Sequence, residues 1–76
     1  MKERVYNHFD KEMQENPSLY LSSTGDVNLT ALSESFINEN ELSEQEEDEV
    51  YYMAVYWLDI QVSKGNIDPV TNKWRK

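Results

Sequence analysis

The chain has no cysteine and a single histidine, His8. Neither a disulfide framework nor a zinc site of the usual Cys/His type can therefore reinforce the fold, and no thiol nucleophile exists. Glycine and proline occur twice each, and Gly25 and Gly65 stand too far apart to form a phosphate-cradling loop. No apolar run is long enough to span a bilayer, and MKERVYNHFDKEM lacks the uninterrupted apolar stretch of a signal peptide. A cytoplasmic protein without membrane association is the expectation. Basic residues are missing over a long interval. Between Lys11 and Lys64 there is no Lys or Arg, whereas twelve of the fifteen Asp and Glu residues fall there, and the net charge is −8.

That anionic interval repels nucleic-acid phosphates and attracts basic partners. It also serves solubility, as net charge does in most small proteins. A 12% aromatic content separates the chain from solvated acidic tails and predicts one folded domain over residues 1–76. At this length the core is small, so burial has to be efficient or helped by self-association.

The organising stretch is SEQEEDEVYYMAVYWLDIQVSK, residues 43–64. Ser43 followed by Glu46 is a capping box, in which each side chain satisfies the other residue's backbone N–H. Glu44, Glu46, Glu47, Asp48 and Glu49 place carboxylates at the positive end of the helix; Lys64 and Gly65 supply a cation and a left-handed stop at the other end. Val50, Met53, Ala54 and Trp57 form the centre of an apolar face, flanked by Leu58, Tyr51, Val55 and Val62 on one side and Ile60 on the other. The arc exceeds half the circumference and predicts burial against two neighbours, or against one neighbour and a second copy of the chain.

The sequence predicts an all-α, three-helix domain, with helices at about 2–15, 29–38 and 44–64. In the first, Val5, Phe9 and Met13 form one stripe and Pro17 ends the helix. His8 and Glu12, one turn apart, read as a surface pair rather than a metal site. Residues 18–28 carry the turn signal Thr24-Gly25-Asp26 and form an ordered loop or minor hairpin, with Leu19 and Leu21 directed inward. Asn28 is the N-cap of the second helix, where Leu29, Leu32 and Phe36 face the core and Ile37 widens the face; Asn38-Glu39-Asn40-Glu41 breaks its periodicity. Residues 66–76 form an extended C-terminal tail, in which Trp74 is an anchor on the body.

Catalytic readings lack parts. No serine has an evident base beyond His8, and the carboxylates at the start of the third helix radiate around its axis rather than converge on a cation. A helix-turn-helix reading is opposed by the sequence EQEEDE where a recognition helix needs Arg, Lys, Asn or Gln. The expectation is a non-enzymatic protein with no cofactor, no metal and no direct nucleic-acid binding.

The candidate protein-binding residues are Glu46, Glu47, Asp48, Glu49, Tyr52, Tyr56 and Asp59. Tyr52 and Tyr56 lie one turn apart, opposite Trp57 and ringed by carboxylates, a pattern suited to a basic protein surface. In composition the chain resembles the small acidic DNA-mimic, anti-restriction and anti-CRISPR proteins of phages and mobile elements. That resemblance implies an inhibitor occupying a nucleic-acid-binding site. The alternative is a structural or assembly subunit that dimerises through the apolar arc of residues 44–64.

Overall fold

The structure is a computed structural model and describes residues 1–75. Its helices are α1 (Lys2–Glu15), α2 (Leu29–Asn40) and α3 (Glu44–Ser63), with a short 3-10 turn at Pro17–Leu19. The domain is all-α, and the three helices pack against one another in every pairing.

α1 delivers Val5, Phe9 and Met13 to the core, as their spacing requires. α2 begins where Asn28 Oδ1 accepts the Ala31 N–H at 3.0 Å. It continues two residues past the expected end at 38. Asn40 explains the extension: its Nδ2 donates to the Phe36 carbonyl at 2.8 Å, and its Oδ1 accepts from Arg4 of α1 at 2.6 Å. The last turn of α2 is thereby tied to the neighbouring helix, and Glu41 ends it in the left-handed region at φ 44°.

Both termini of α3 follow the sequence signals. Glu46 N–H donates to Ser43 Oγ at 3.3 Å and Ser43 N–H to Glu46 Oε1 at 3.1 Å, completing the capping box. At the other end Gly65 takes φ 83°, with Gly65 N–H bonded to the Val62 carbonyl and Asn66 N–H to that of Gln61. This is a Schellman arrangement, which satisfies carbonyls that a helix end leaves unpaired.

The buried face of α3 is narrower than the apolar arc. Val50, Ala54, Trp57 and Gln61 are buried and Met53, Leu58, Ile60 and Val62 half-buried, whereas Tyr51 and Val55 stay exposed. The sequence pattern assigns that flank to packing. In the fold α1 and α2 both lie on the Val50–Trp57 side; Leu58 still packs against the core, but Tyr51 and Val55 are left exposed among the described residues. Gln61 enters the core because it continues the 50, 54, 57 stripe, and Asn66 Nδ2 satisfies its Oε1 at 2.7 Å.

Residues 18–28 make a minor hairpin reduced to one antiparallel bridge, Leu21 with Val27. Leu19, expected inside, is exposed, because the 3-10 turn after Pro17 rotates it outward. Tyr20 takes its place in the core, and its hydroxyl reaches Glu12 Oε1 at 2.6 Å.

The tail is not extended. Asp68 organises a turn, with Oδ1 accepting the Val70 N–H at 2.8 Å and the backbone N–H donating to Lys73 at 2.9 Å. The chain then returns, so that Ile67 bridges Trp74, Trp74 N–H donates to the Gly25 carbonyl at 2.8 Å, and Lys73 pairs with Asp26 at 2.6 Å. Ile67 is wholly buried and Trp74 is anchored on the body, as its isolated position predicts. Lys76, part of the expected tail, lies outside the described residues.

Candidate protein-binding face

An α-helix turns about 100° per residue, so the seven candidate residues cannot all face one way. Asp48, Asp59, Tyr52, Tyr56 and Glu49 fall within roughly a 100° arc on the outward side of α3. All five are exposed, Tyr52 and Tyr56 at 70% and 63%. The structure does not bring Glu46 and Glu47 to them. Glu46 lies towards the core side of the first turn, and its carboxylate is occupied by the cap. The backbone N–H of Ser43, then its side chain, hold it below the usual glutamate range. Glu47 is half-buried on the flank of Leu58.

Two further residues extend the face. Tyr51 and Val55, one turn apart, run beside Tyr52 and Tyr56 and are 39% and 53% exposed. Periodicity hid them by placing them in the core arc. The signal that could have found them is the width of that arc, because a surface helix usually buries a narrower stripe. The face thus has two parallel ladders of large side chains, edged by Asp48, Glu49 and Asp59. None of those three carboxylates has an ion pair or side-chain hydrogen bond among the described residues. The carboxylates that meet a basic side chain there are Asp26, paired with Lys73, and Glu39, beside His8.

Beside this face, between the first turns of α1 and the middle of α3, lies a groove of about 470 Å³ lined by Lys2, Tyr6, Met53, Tyr56, Asp59 and Ile60. Lys2 Nζ is folded over the Tyr6 ring, 5.8 Å from its centroid. A second cleft, of about 540 Å³, lies between α1, the C-terminal end of α3 and Trp74, with Asp10, Gln61 and Lys64 on its wall.

The environment of His8 corrects its expected pairing. Glu12 is engaged by the Tyr20 hydroxyl and by Asn16, and the Tyr20 bond chiefly holds its carboxyl below the usual range. His8 instead crosses to α2: Nε2 lies 2.9 Å from Ser35 Oγ and Nδ1 lies 3.4 Å from Glu39 Oε2. Serine, histidine and carboxylate in this order resemble a nucleophile with its base and orienting acid. Here, however, Ser35 Oγ donates to the Leu32 carbonyl at 2.6 Å, so its proton is engaged on the α2 backbone rather than directed at the imidazole. The imidazole also stands edge-on to Phe36, at 5.5 Å between centroids. The group reads as a clamp between α1 and α2. Among the described residues, no three His, Asp or Glu side chains converge as a metal ion would require.

No helix among the described residues is long and apolar enough to cross a membrane. Comparison with family models, with curated proteins and with solved structures gave no match to this chain.

Proposed function

We propose that the chain is a non-enzymatic protein-binding module. Its outward α3 face, Asp48, Glu49, Tyr52, Tyr56 and Asp59 with Tyr51 and Val55 beside them, occupies a basic site on another protein. One observation carries this reading. Four of the seven large apolar or aromatic side chains that stay exposed among the described residues, Tyr51, Tyr52, Val55 and Tyr56, are gathered on this one face, among carboxylates that no ion pair of the described residues involves. Contiguous exposed apolar surface marks contact sites, and tyrosine supplies contact area with a hydrogen-bonding tip. The excess of negative charge steers a basic partner towards it and a nucleic acid away. A nucleic-acid-handling protein in the cytoplasm, inhibited by occupation of its phosphate-binding surface as by a phage or mobile-element DNA mimic, is the target class that this charge suits.

The test is capture of partners from source-cell lysate at low and high salt by the native chain and by the Tyr52→Ala, Tyr56→Ala, Asp59→Asn triple variant. The proposal expects a basic partner that is retained at low salt, weakened at high salt and lost with the variant. Equal capture by both chains overturns it. The exposed Tyr51–Val55 flank favours a second reading, in which two copies pair through α3. Light scattering decides that point: a dimer that Val55→Lys converts to a monomer supports the assembly role.

A further inference from the structure

We infer that the partner's contact segment is amphipathic, with an apolar anchor seated in the groove between α1 and α3 and a lysine or arginine one helical turn away on Asp59. The inference rests on the proposed binding face and specifies what that face recognises. A surface that imitates nucleic acid needs only carboxylates in a row, and the groove then has no purpose. The groove is lined by the apolar side chains of Met53 and Ile60 together with two tyrosines, Tyr6 and Tyr56. Methionine adapts its shape to an inserted side chain, and interfaces draw most of their affinity from anchors seated in such pockets.

The charges fix the orientation of the occupant. Lys2 lies on the α1 side, its ammonium held over the Tyr6 ring, whereas Asp59 lies on the α3 side with no ion pair among the described residues. A cation on the incoming segment therefore meets Asp59 when it faces α3. Glu49 is ten residues earlier on the same face, so at 1.5 Å per residue a second cation belongs roughly 15 Å further along. This spacing matches a helix of the partner laid along α3, with basic residues about ten positions apart and a leucine, phenylalanine or methionine one turn from one of them.

The experiment uses the full chain and two synthetic helical peptides, each with lysines ten residues apart. One has leucine a turn from the lysine that meets Asp59; the other has alanine at that position. Binding is measured by calorimetry, and the methyl signals of Met53 and Ile60 are followed by NMR. The leucine peptide is expected to bind at least roughly tenfold tighter, the ratio that burial of one such side chain gives. It alone should move the two methyl signals, and Asp59→Asn should weaken both peptides. Equal affinities with unmoved methyls overturn the groove as anchor site and leave the basic-face reading standing. Failure of both peptides to bind overturns the two together. Methyl shifts that appear on concentrating the chain alone assign the groove to a second copy and also overturn the inference.

Discussion

Trp57 and Trp74, seventeen residues apart, lie with ring planes 12° from parallel and centroids 6.2 Å apart. The indole N–H of Trp57 donates to Asp10 of α1 at 2.9 Å, and its ring meets Phe9 edge-on at 5.5 Å. One side chain therefore holds α1, α3 and the returning tail together. Trp57→Ala should destabilise the domain by about 3–5 kcal/mol, as truncation of a fully buried aromatic does. Trp74→Ala, at a half-buried ring, should lose about half as much or less. Chemical denaturation of the two variants measures both losses; similar values would contradict the assigned burial.

Tyr20 and Glu12 make stability depend on pH at both extremes. The Tyr20 bond holds the Glu12 carboxyl below its ordinary range, so its contribution is present above about pH 4–5 and is lost as pH falls through the lower folded-state value. Burial and the same bond raise the Tyr20 hydroxyl above its ordinary value, so that contribution is present below about pH 10 and is lost as pH rises through the folded value. Tyr20→Phe should cost about 1 kcal/mol at neutral pH, below the range for a buried charged acceptor because Glu12 is half-exposed. The gap between variant and native chain in thermal unfolding should close towards both acid and alkaline pH. A gap constant across pH would sever the link.

The His8 clamp predicts an asymmetric pair of variants. His8→Ala removes a half-buried ring from Phe36 together with its bond to Ser35, and should cost about 2–3 kcal/mol. Glu39→Gln removes only an exposed carboxylate from the imidazole, and should change stability by about 0.5 kcal/mol or less. Urea midpoints at pH 7 compare them directly.

Glu41 ends α2 at φ 44°, where an L side chain is strained and glycine is not. Glu41→Gly should raise stability by about 0.5–1 kcal/mol, the relief being partly offset by the greater freedom of glycine in the unfolded chain. At Gly25 the reverse holds. Gly25 has φ 89°, which strains an L side chain although the added Cβ would meet Lys73 and Trp74 only at ordinary contact distance, so Gly25→Ala should destabilise the domain. Thermal melts of the two should move in opposite directions.

The proposed face predicts independence of fold and binding. Tyr52→Ala, Tyr56→Ala and Asp59→Asn touch exposed groups, and each should leave stability within about 0.5 kcal/mol while partner capture falls. A large stability change in any of them would reassign that residue to the core.

What could be read from the sequence was local. The Ser43–Glu46 box, the Asn28 cap, the Pro17 stop and the Val5, Phe9, Met13 stripe each depend on residues within a turn or two, and each stands where the spacing puts it. The misplacements share another cause. Tyr51 and Val55 carry the signature of a buried flank, but whether anything covers them depends on where α1 and α2 dock. Gln61 looks like a solvent-facing amide until Asn66 turns back to meet it. The tail looks open because its partners, Gly25 and Asp26, stand more than forty residues earlier. For the candidate face, spacing places Tyr52, Tyr56, Asp48, Glu49 and Asp59 on one side of α3, where all five are exposed, while shared acidity alone brought in Glu46 and Glu47.

The Gly25–Trp74 and Asp26–Lys73 contacts have a bearing on how the domain breathes. They close a long loop by one backbone hydrogen bond, an exposed ion pair and a half-buried ring, against an entropy of closure that grows with the logarithm of loop length. The three helices have denser burial beneath them. Opening should therefore proceed in stages, with residues 73–75 leaving first and the helical body remaining, Ile67 still buried with it. In hydrogen exchange, the amide of Trp74 should lose protection at a lower free energy than the amides around Val50 and Ala54, and the vacated edge would briefly expose one face of Trp57 to solvent.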